Sequence, residues 1–579
     1  MTGQERKAAA IGALAIAGLL GTAGLLDVAW NGRGLDAAAS AGTVGLWVAL
    51  GAPLALAAGL LAAPTLGRTA LAEGSARAGL VLLILSPLAA AVLGFARSDT
   101  AVLVTGSSNP APGATPAHVV LIVLDTLRVD RLGAYGAKSP TPAFDALARQ
   151  GVLFDRCFAQ ASWTVPSHAS LFTGLYPSSH GASFEHARRL DDGFTTIAES
   201  LGSRGYRTAA FVANPHVALA NLDQGFERYR EIAAPFARLA VRKPLALLGG
   251  PARWIDEGTA EGVDAIERFL AEPVPHRSEP AAPLFLFVNL LEPHWRHLPP
   301  YAERSEALSE LGGIVAGTWT STRFWGPFAM ARGGLETPRE LATLRALYDA
   351  EVRYQDHLLG RLIAALDARL DPERTVLIVT SDHGENLGEG GRFDHVFALN
   401  DHLIHVPLLI RYPPRFLPGS RRSDLCELVD VPATLADLLG HPSPAGPGLP
   451  LGRHAAHRRF VHAEGDPYLD HLDRMAEAGG SDFDRARYAA PLRSVRGPRY
   501  KLVTSSETSA LFDLETDPDE LEDVSSRLPA QRRELEAELE RWQASLPRYR
   551  ADPSDSTGSA APMIDEEARD RLDALGYGQ

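Results

Sequence analysis

Two acidic residues stand directly after the two most apolar strand-like runs of the chain. Asp125 follows a run rich in Val, Ile and Leu, and Asp382 follows a second such run and precedes His383. Ligands of α/β proteins bind at the carboxyl ends of parallel strands. Two carboxylates and an imidazole that converge there are typical ligands of a divalent metal ion. A lone aspartate at a strand end is more often a loop cap, but an adjacent Asp and His have few structural uses.

A hydroxyl group lies where a helix should begin. The segment 162–174 reads SWTVPSHASLFTG, and Pro166 is a typical first residue of a helix. Thr164 is therefore expected just before the helix N-terminus, where free amides and the helix dipole favour anions. Near a divalent metal such a hydroxyl can act as a nucleophile. The alternative, that Thr164 only caps the helix, stays open at this point.

The elements that must position these side chains alternate between strand and helix. Short apolar runs predict strands, and amphipathic runs between them predict helices. Such alternation predicts an α/β fold with a mostly parallel sheet flanked by helices on both faces. From about residue 455 short strands, a hairpin and a charged helix predict a smaller C-terminal α+β subdomain. The strands are predicted at 118–124, 208–213, 284–291, 375–380 and 406–411, the main helices at 196–204, 260–270 and 339–366, the hairpin at 493–504 and the charged helix at 529–545.

Several separated motifs, in the right order, resemble the sulfatase family of the alkaline phosphatase superfamily. The resemblance covers roughly residues 118–545. It implies the fold of that family, a metal-dependent activity on ester bonds and an anionic ester substrate. The motifs that carry it are the first metal motif at 125–136, the following helix at 141–148, the nucleophile signature at 164–174, the second metal motif at 381–385, and C-terminal segments at 500–502 and 511–520.

The sequence departs from this family at the nucleophile. Sulfatases convert a cysteine or serine to formylglycine, and the residue here is Thr164, which that maturation cannot convert. A threonine nucleophile is similar to that of phosphodiesterases and lipoteichoic acid synthases. We therefore expect no formylglycine, and we slightly favour phosphate esters over sulfate esters.

The resemblance also implies the metal ligands. Thr126 replaces the second acid of the family's Asp–Asp pair, and Leu290 occupies the place of an aspartate that two-zinc relatives use. These losses favour one divalent ion (Mn, Mg, Ca or Zn) over two. Its predicted ligands are Asp125, Thr164, Asp382 and His383.

Further residues are assigned by the resemblance alone. His294 and His395 resemble positions that contact the transferred group or protonate the leaving oxygen, a task that suits imidazole. His168 replaces the arginine of the nucleophile signature, and together with Arg128 and His180 it is predicted to bind substrate. Each of the five has a structural alternative, such as loop packing or an internal salt bridge.

The first 100 residues differ from the rest of the chain in their low charge and high apolar content. They contain three charge-free stretches, at 8–26, 37–67 and 78–96, each long enough to cross a bilayer. Basic residues before the first span and between the second and third place the N-terminus in the cytoplasm. Everything after residue 97 is then outside. A cleaved signal peptide is the alternative for the first stretch.

These observations set the predicted organisation. We expect a membrane domain of three transmembrane helices at 1–100, a linker at 101–117, a sulfatase-like catalytic domain at 118–450, a C-terminal subdomain at 451–545 and a polar tail at 546–579. Of the formal net charge of −14, the first 100 residues carry +1 and the rest −15, and this acidic balance argues against nucleic-acid partners. Two cysteines exclude a disulfide scaffold.

Location and function follow as predictions. Only four of the 56 basic side chains are lysines, which is typical of a GC-rich bacterial genome. The expected location is the bacterial inner membrane, with the catalytic domain on the periplasmic or extracellular side and a lipid head group or envelope glycan as substrate. Three functions remain: a phosphodiesterase or phospho-group transferase, a sulfatase that works without formylglycine, and a catalytically weak envelope binding protein.

Overall fold

The computed structural model describes residues 118–183, 189–232, 256, 258–272, 282–295, 297, 299, 330–331, 337–442, 446–452, 458–479 and 483–550. None of the helices in these residues is long and apolar enough to span a bilayer. The three predicted transmembrane spans and the linker lie outside the described residues, and they stay predictions.

An eight-stranded sheet organises the larger part of the molecule. Its order is β10-β2-β9-β6-β1-β5-β3-β4, and all neighbouring pairs are parallel except the two that β9 makes with β2 and β6. The predicted mostly parallel sheet is thus confirmed. The strands are β1 His118–Leu124, β2 Val152–Phe158, β3 Arg207–Val212, β4 Arg228–Glu231, β5 Leu284–Leu290, β6 Thr375–Thr380, β9 His405–Arg411 and β10 Ser420–Glu427, with a two-stranded ribbon of β7 Asn386–Leu387 and β8 Phe393–Asp394.

Helices cover both faces of this sheet. Alternate residues of β1 therefore enter two different hydrophobic clusters: Val120 and Ile122 lie in one, and Val119 and Leu121 in the other. Burial on both faces explains why the strand is continuously apolar. The helices are α1 Pro142–Ala148, α2 Thr164–Thr173, α3 Pro177–His180, α4 Ile197–Gly202, α5 Pro215–Leu219, α6 Thr259–Ala271, α7 Pro338–Asp367, α8 Asp401–Ile404 and α9 Asp430–Leu439.

A second, antiparallel sheet follows towards the C-terminus. It has the order β11-β12-β13-β14 and packs against a long helix through Leu502, Leu535 and Trp542. Its elements are β11 Val461–Gly465, α10 Leu469–Gly479, α11 Ala486–Ala489, β12 Leu492–Arg496, β13 Tyr500–Thr504, β14 Ser509–Asp513 and α12 Pro529–Ser545. The predicted hairpin corresponds to β12 and β13.

Buried charges join the two sheets. The Lys501 ammonium lies 2.8 Å from Asp401 and 2.9 Å from Glu520, and none of its side chain is exposed. Arg496 adds a contact of 3.0 Å with Asp401. Since Asp401 begins α8, which leads directly into β9, this network fastens the C-terminal sheet to the loop that precedes a central strand.

Candidate active site

The carboxyl ends of β1 and β6 place the two acidic motifs side by side. The strands pair in parallel register, with Val123 opposite Thr380. Asp125 and Asp382 consequently leave the sheet at the same edge, and the amide of Thr126 donates to Asp382 Oδ1 at 3.3 Å. Thr126 has a φ of 54°, a strained conformation for a threonine. The sharp turn brings its amide to Asp382.

His383 faces both carboxylates. Its Nε2 lies 3.3 Å from Asp382 Oδ2 and 4.0 Å from Asp125 Oδ1. Its Nδ1 lies 2.9 Å from the carbonyl oxygen of Gly384, so Nδ1 carries the proton and the Nε2 lone pair points at the acids. Gly384 has no room for a side chain, because a Cβ would overlap the carbonyl oxygen of His402.

The electrostatics of this cluster call for a cation. Burial and the neighbouring Asp382 raise the pKa of Asp125 to about 6, and burial lowers the pKa of His383 to about 3. Asp125 Oδ1 and Asp382 Oδ2 are buried and have no hydrogen-bond partner. Two carboxylate oxygens and a neutral imidazole nitrogen, all turned to one point, fit a divalent ion.

Thr164 is the first residue of α2 and lies beside this cluster. Trp163 is the N-cap, and neither its side chain nor that of Thr164 caps the helix. Thr164 Oγ1 instead lies 3.5 Å from His383 Nε2 and accepts a hydrogen bond of 3.2 Å from Asn214 Nδ2. Helix capping thus does not explain this threonine. Pro166 is the third residue of the helix, so the expected start at Pro166 was two residues late.

Asn214 and Asn289 are site residues that the sequence analysis missed. The Asn214 amide donates to Asp125 Oδ2 at 2.9 Å as well as to Thr164, and Asn289 Nδ2 donates to the same carboxylate oxygen at 3.3 Å. Both lie at the carboxyl ends of neighbouring strands, β3 and β5, which is the signal that could have found them. They fix the Asp125 carboxylate and leave its other oxygen free.

His294 and His395 complete the cluster. The ring centroid of His395 lies 4.7 Å from that of His383 and 5.1 Å from that of His294. Burial lowers the pKa of His395, but Asp394 and Glu385 outweigh it and raise the value to about 9. His294 Nδ1 donates to the Trp295 carbonyl oxygen at 2.8 Å, which fixes the orientation of the ring.

The contacts of Arg128 are all with other parts of the protein. Its guanidinium donates to Asp130, to Glu389 and to the carbonyl oxygen of Glu385, and Nη2 lies 2.7 Å from His402. Only 2% of the side chain is exposed. These contacts use all three guanidinium nitrogens and fasten the loop that follows His383, as the alternative of an internal salt bridge expects, and substrate binding by Arg128 stays a prediction.

Of the other two predicted binding residues, His180 is also turned inwards and His168 is not. Both ring nitrogens of His180 are engaged, one with Ser170 Oγ at 3.1 Å and one with the amide of Ala182 at 3.1 Å. His180 therefore packs under α2 and offers no nitrogen to a substrate. His168 does lie in the site: its Nδ1 is 2.9 Å from the Thr164 carbonyl oxygen and 3.4 Å from Asp382 Oδ2.

Comparison with known proteins agrees with this geometry. The sulfatase family model matches residues 117–441, more than half of the chain. The chain belongs to the sulfatase family. As a sulfatase-family member it is an enzyme that hydrolyses sulfate, phosphate or phosphonate esters, the family is metal-dependent, and the cluster at Asp125, Asp382 and His383 could hold the ion.

Relatives of two kinds are similar to this sulfatase-family chain. Arylsulfatase K of the dog, Canis lupus familiaris, is 24% identical over 490 residues, which cover 78% of this chain and 86% of the relative. Human iduronate 2-sulfatase is 28% identical over 445 residues, covering 63% and 78%. Among solved structures, phosphonate monoester hydrolase of Agrobacterium radiobacter superposes with a TM-score of 0.56 at 25% identity, covering 74% of this chain and 95% of that one.

Proposed function

We propose that this sulfatase-family enzyme is a membrane-anchored phosphodiesterase or phospho-group transferase whose nucleophile is Thr164. The observation that carries the proposal is the placement of Thr164 Oγ1: buried at the first residue of α2, 3.5 Å from the ligating nitrogen of His383, and accepting from Asn214. A threonine at this point can form an ester with phosphorus but cannot become formylglycine.

The residues present fit one divalent ion, Mn, Mg, Ca or Zn, held by Asp125, Thr164, Asp382 and His383. Such an ion supplies Lewis acidity that lowers the pKa of a bound hydroxyl and attracts the ester oxygens. The amides at the start of α2 add positive potential at the same place.

The chain's own groups then divide the work. Thr164 Oγ1 releases its proton to solvent water and attacks phosphorus in line with the departing oxygen, and the Thr164–phosphorus ester bond forms as the phosphorus–leaving-group bond breaks. His294 or His395 donates a proton to the leaving alkoxide. Water or an acceptor hydroxyl gives its proton to the same imidazole as it attacks the phosphothreonine, and the released Thr164 oxygen takes up a proton from solvent. Asn214 holds the Thr164 hydroxyl oxygen throughout.

A sulfate ester is the second candidate substrate, favoured by the 28% identity with iduronate 2-sulfatase. The same attack by Thr164 would give a sulfothreonine. Phosphomonoesters, phosphodiesters and sulfate esters, each with added Mn, Mg, Ca or Zn, separate the two candidates by rate. The exact mass of the trapped peptide that contains Thr164 separates a phosphoryl adduct from a sulfuryl adduct.

The decisive variants change Thr164 itself. Thr164→Ala should abolish turnover, and Thr164→Ser should retain it, because serine keeps the attacking hydroxyl. Thr173→Ala is the matched control: Thr173 ends the same helix, and its hydroxyl donates to the Ala169 carbonyl oxygen at 2.7 Å and accepts from the amide of Leu175 at 3.3 Å. Full activity of Thr164→Ala on the best ester of the panel would refute the mechanism. If the enzyme is purified after metal has been supplied in excess and has neither bound metal nor turnover, the binding-protein alternative is favoured.

The membrane anchor rests on the three charge-free stretches of the first 100 residues. We infer that they hold the enzyme in the bacterial inner membrane with the catalytic domain outside, where lipid head groups and envelope glycans are accessible as anionic ester substrates. Alkaline carbonate should leave the full-length protein in the membrane pellet, and protease added to spheroplasts should remove the catalytic domain. Release by carbonate would contradict the anchor, and protection from protease would contradict the orientation.

A further inference from the structure

A second group of acidic and imidazole side chains lies next to the first. Glu385, Asp394 and His395 each offer a donor atom, and these three atoms all lie within 4.8 Å of one another. All three residues are buried, with 1%, 7% and 2% of their surface exposed. The group shares no residue with Asp125, Asp382 and His383.

The short ribbon of β7 and β8 creates this group. Asn386 pairs with Asp394 across the ribbon, which brings Glu385, the residue before β7, against His395, the residue after β8. Asp394 has a φ of 67°, so its carboxylate turns back towards the His395 ring. Residues nine or ten positions apart in the sequence thus converge on one point.

The spacing of the donor atoms is that of ligands around a common ion. His395 Nδ1 lies 3.0 Å from Asp394 Oδ1 and 3.3 Å from Glu385 Oε2. Ligand atoms about 2.0–2.2 Å from a metal in tetrahedral or octahedral geometry are separated by roughly 2.9–3.6 Å. An imidazole hydrogen bond explains either distance alone, but it does not explain the next observation.

One carboxylate oxygen of the group has no partner. Glu385 Oε1 is buried and accepts no hydrogen bond, although Oε2 of the same carboxylate is directed at His395. In the described part of the chain, the salt bridges of Glu385 and Asp394 both go to the single His395 ring. A buried carboxylate oxygen that has neither a hydrogen bond nor a bound cation is costly in a dry interior.

We propose that Glu385, Asp394 and His395 bind a second divalent cation. Two carboxylates and one imidazole suit Zn or Mn, and three protein ligands leave open positions for an ester oxygen or water. The absence of an aspartate at position 290 favoured a single ion on sequence grounds. The structure offers other carboxylates for a second ion, those of Glu385 and Asp394. They belong to the segment around β7 and β8, and the residue at position 290 does not affect them.

Counting metal ions tests this proposal without any substrate, so it is independent of the proposed function. The full-length enzyme is loaded with Mn or Zn, freed of weakly held ions by gel filtration, and analysed by inductively coupled plasma mass spectrometry. We expect two ions per chain. One ion per chain at saturation would overturn the second site.

Variants assign each ion to its site. Glu385→Gln and Asp394→Asn should each leave one ion and weaken binding of the lost one by at least tenfold, whereas Asp382→Asn should lose the other ion. Glu464→Gln is the matched control, since Glu464 is a buried carboxylate of β11 paired with Arg493 and should keep both. Two ions retained in both Glu385→Gln and Asp394→Asn would refute the assignment. Two anomalous-scattering peaks in crystals of the Mn-loaded wild type, one at each group, provide a check that requires no variant.

Discussion

Replacing Arg128 by methionine separates a structural role from a substrate-binding one. The guanidinium is buried against Asp130, Glu389 and the backbone of Glu385. Methionine keeps the aliphatic volume but removes the guanidinium 3.0 Å from the Glu389 carboxylate, itself 7% exposed, and leaves it the more distant Arg345 guanidinium at 3.8 Å. Removing one partner of a buried pair costs about 3–5 kcal/mol.

That cost converts into a melting shift. A cooperative unit of roughly 330 residues, the predicted catalytic domain, has an unfolding entropy of about 0.7 kcal/mol/K. Arg128→Met should therefore lower the Tm by about 4–7 °C in differential scanning calorimetry. It should also weaken metal binding, because Arg128 fastens the loop that follows His383.

A matched variant controls for the loss of an arginine. Arg228→Met removes a guanidinium that pairs with Glu272 at the protein surface, where both side chains are about half exposed. Surface pairs contribute up to about 1 kcal/mol, so its Tm should change by less than about 1.5 °C. If Arg128→Met has the same Tm as the wild type and raises KM more than tenfold, Arg128 contacts the substrate and its structural role is refuted.

Three further predictions concern residues around the site. Asn214→Ala should lower metal affinity or kcat/KM by roughly 10–100-fold, because it orients both Asp125 and Thr164; an unchanged titration and unchanged kinetics would contradict this. Lys501→Met leaves Asp401 and Glu520 without their ammonium, so it should cost about 3–5 kcal/mol and expose the C-terminal sheet to limited proteolysis; a wild-type cleavage pattern would argue against the network. His180→Ala should lower Tm with KM unchanged, since both its ring nitrogens are engaged, one with Ser170 Oγ and one with the amide of Ala182; a higher KM at constant Tm would support the substrate-binding prediction.

Most of the central sheet could be predicted from the sequence, because a strand that is buried on both faces has a continuous run of apolar residues. The predicted strand 118–124 matches β1 residue for residue, and the predicted charged helix matches α12. Strands β2, β4 and β10 of the eight-stranded sheet were missed. β10 is partly exposed and carries charged residues along its first half, so it lacks the continuous apolar pattern of a buried parallel strand.

The sequence predicted those site residues that have reactive side chains and directly follow a predicted strand. Asp125, Asp382 and His383 follow apolar strands, and the structure brings them together beside Thr164, which establishes their proximity and leaves their roles as proposals. Arg128 shows the limit of this reading. A charged residue near an acidic motif is equally compatible with substrate binding and with an internal clamp, and only its partners distinguish the two.

The sequence by itself determined the residue types at the strand ends, the threonine in place of a convertible cysteine and the mostly parallel sheet, because these depend on local pattern and chemical identity. The tertiary structure alone decided which distant side chains meet. Asn214 donates a hydrogen bond to Asp125, which is 89 positions away in the sequence. Glu385 contacts His395 because β7 and β8 pair as an antiparallel ribbon. Contact between residues far apart in the chain is fixed by strand order and turn geometry, and neither leaves a signal at the residues themselves.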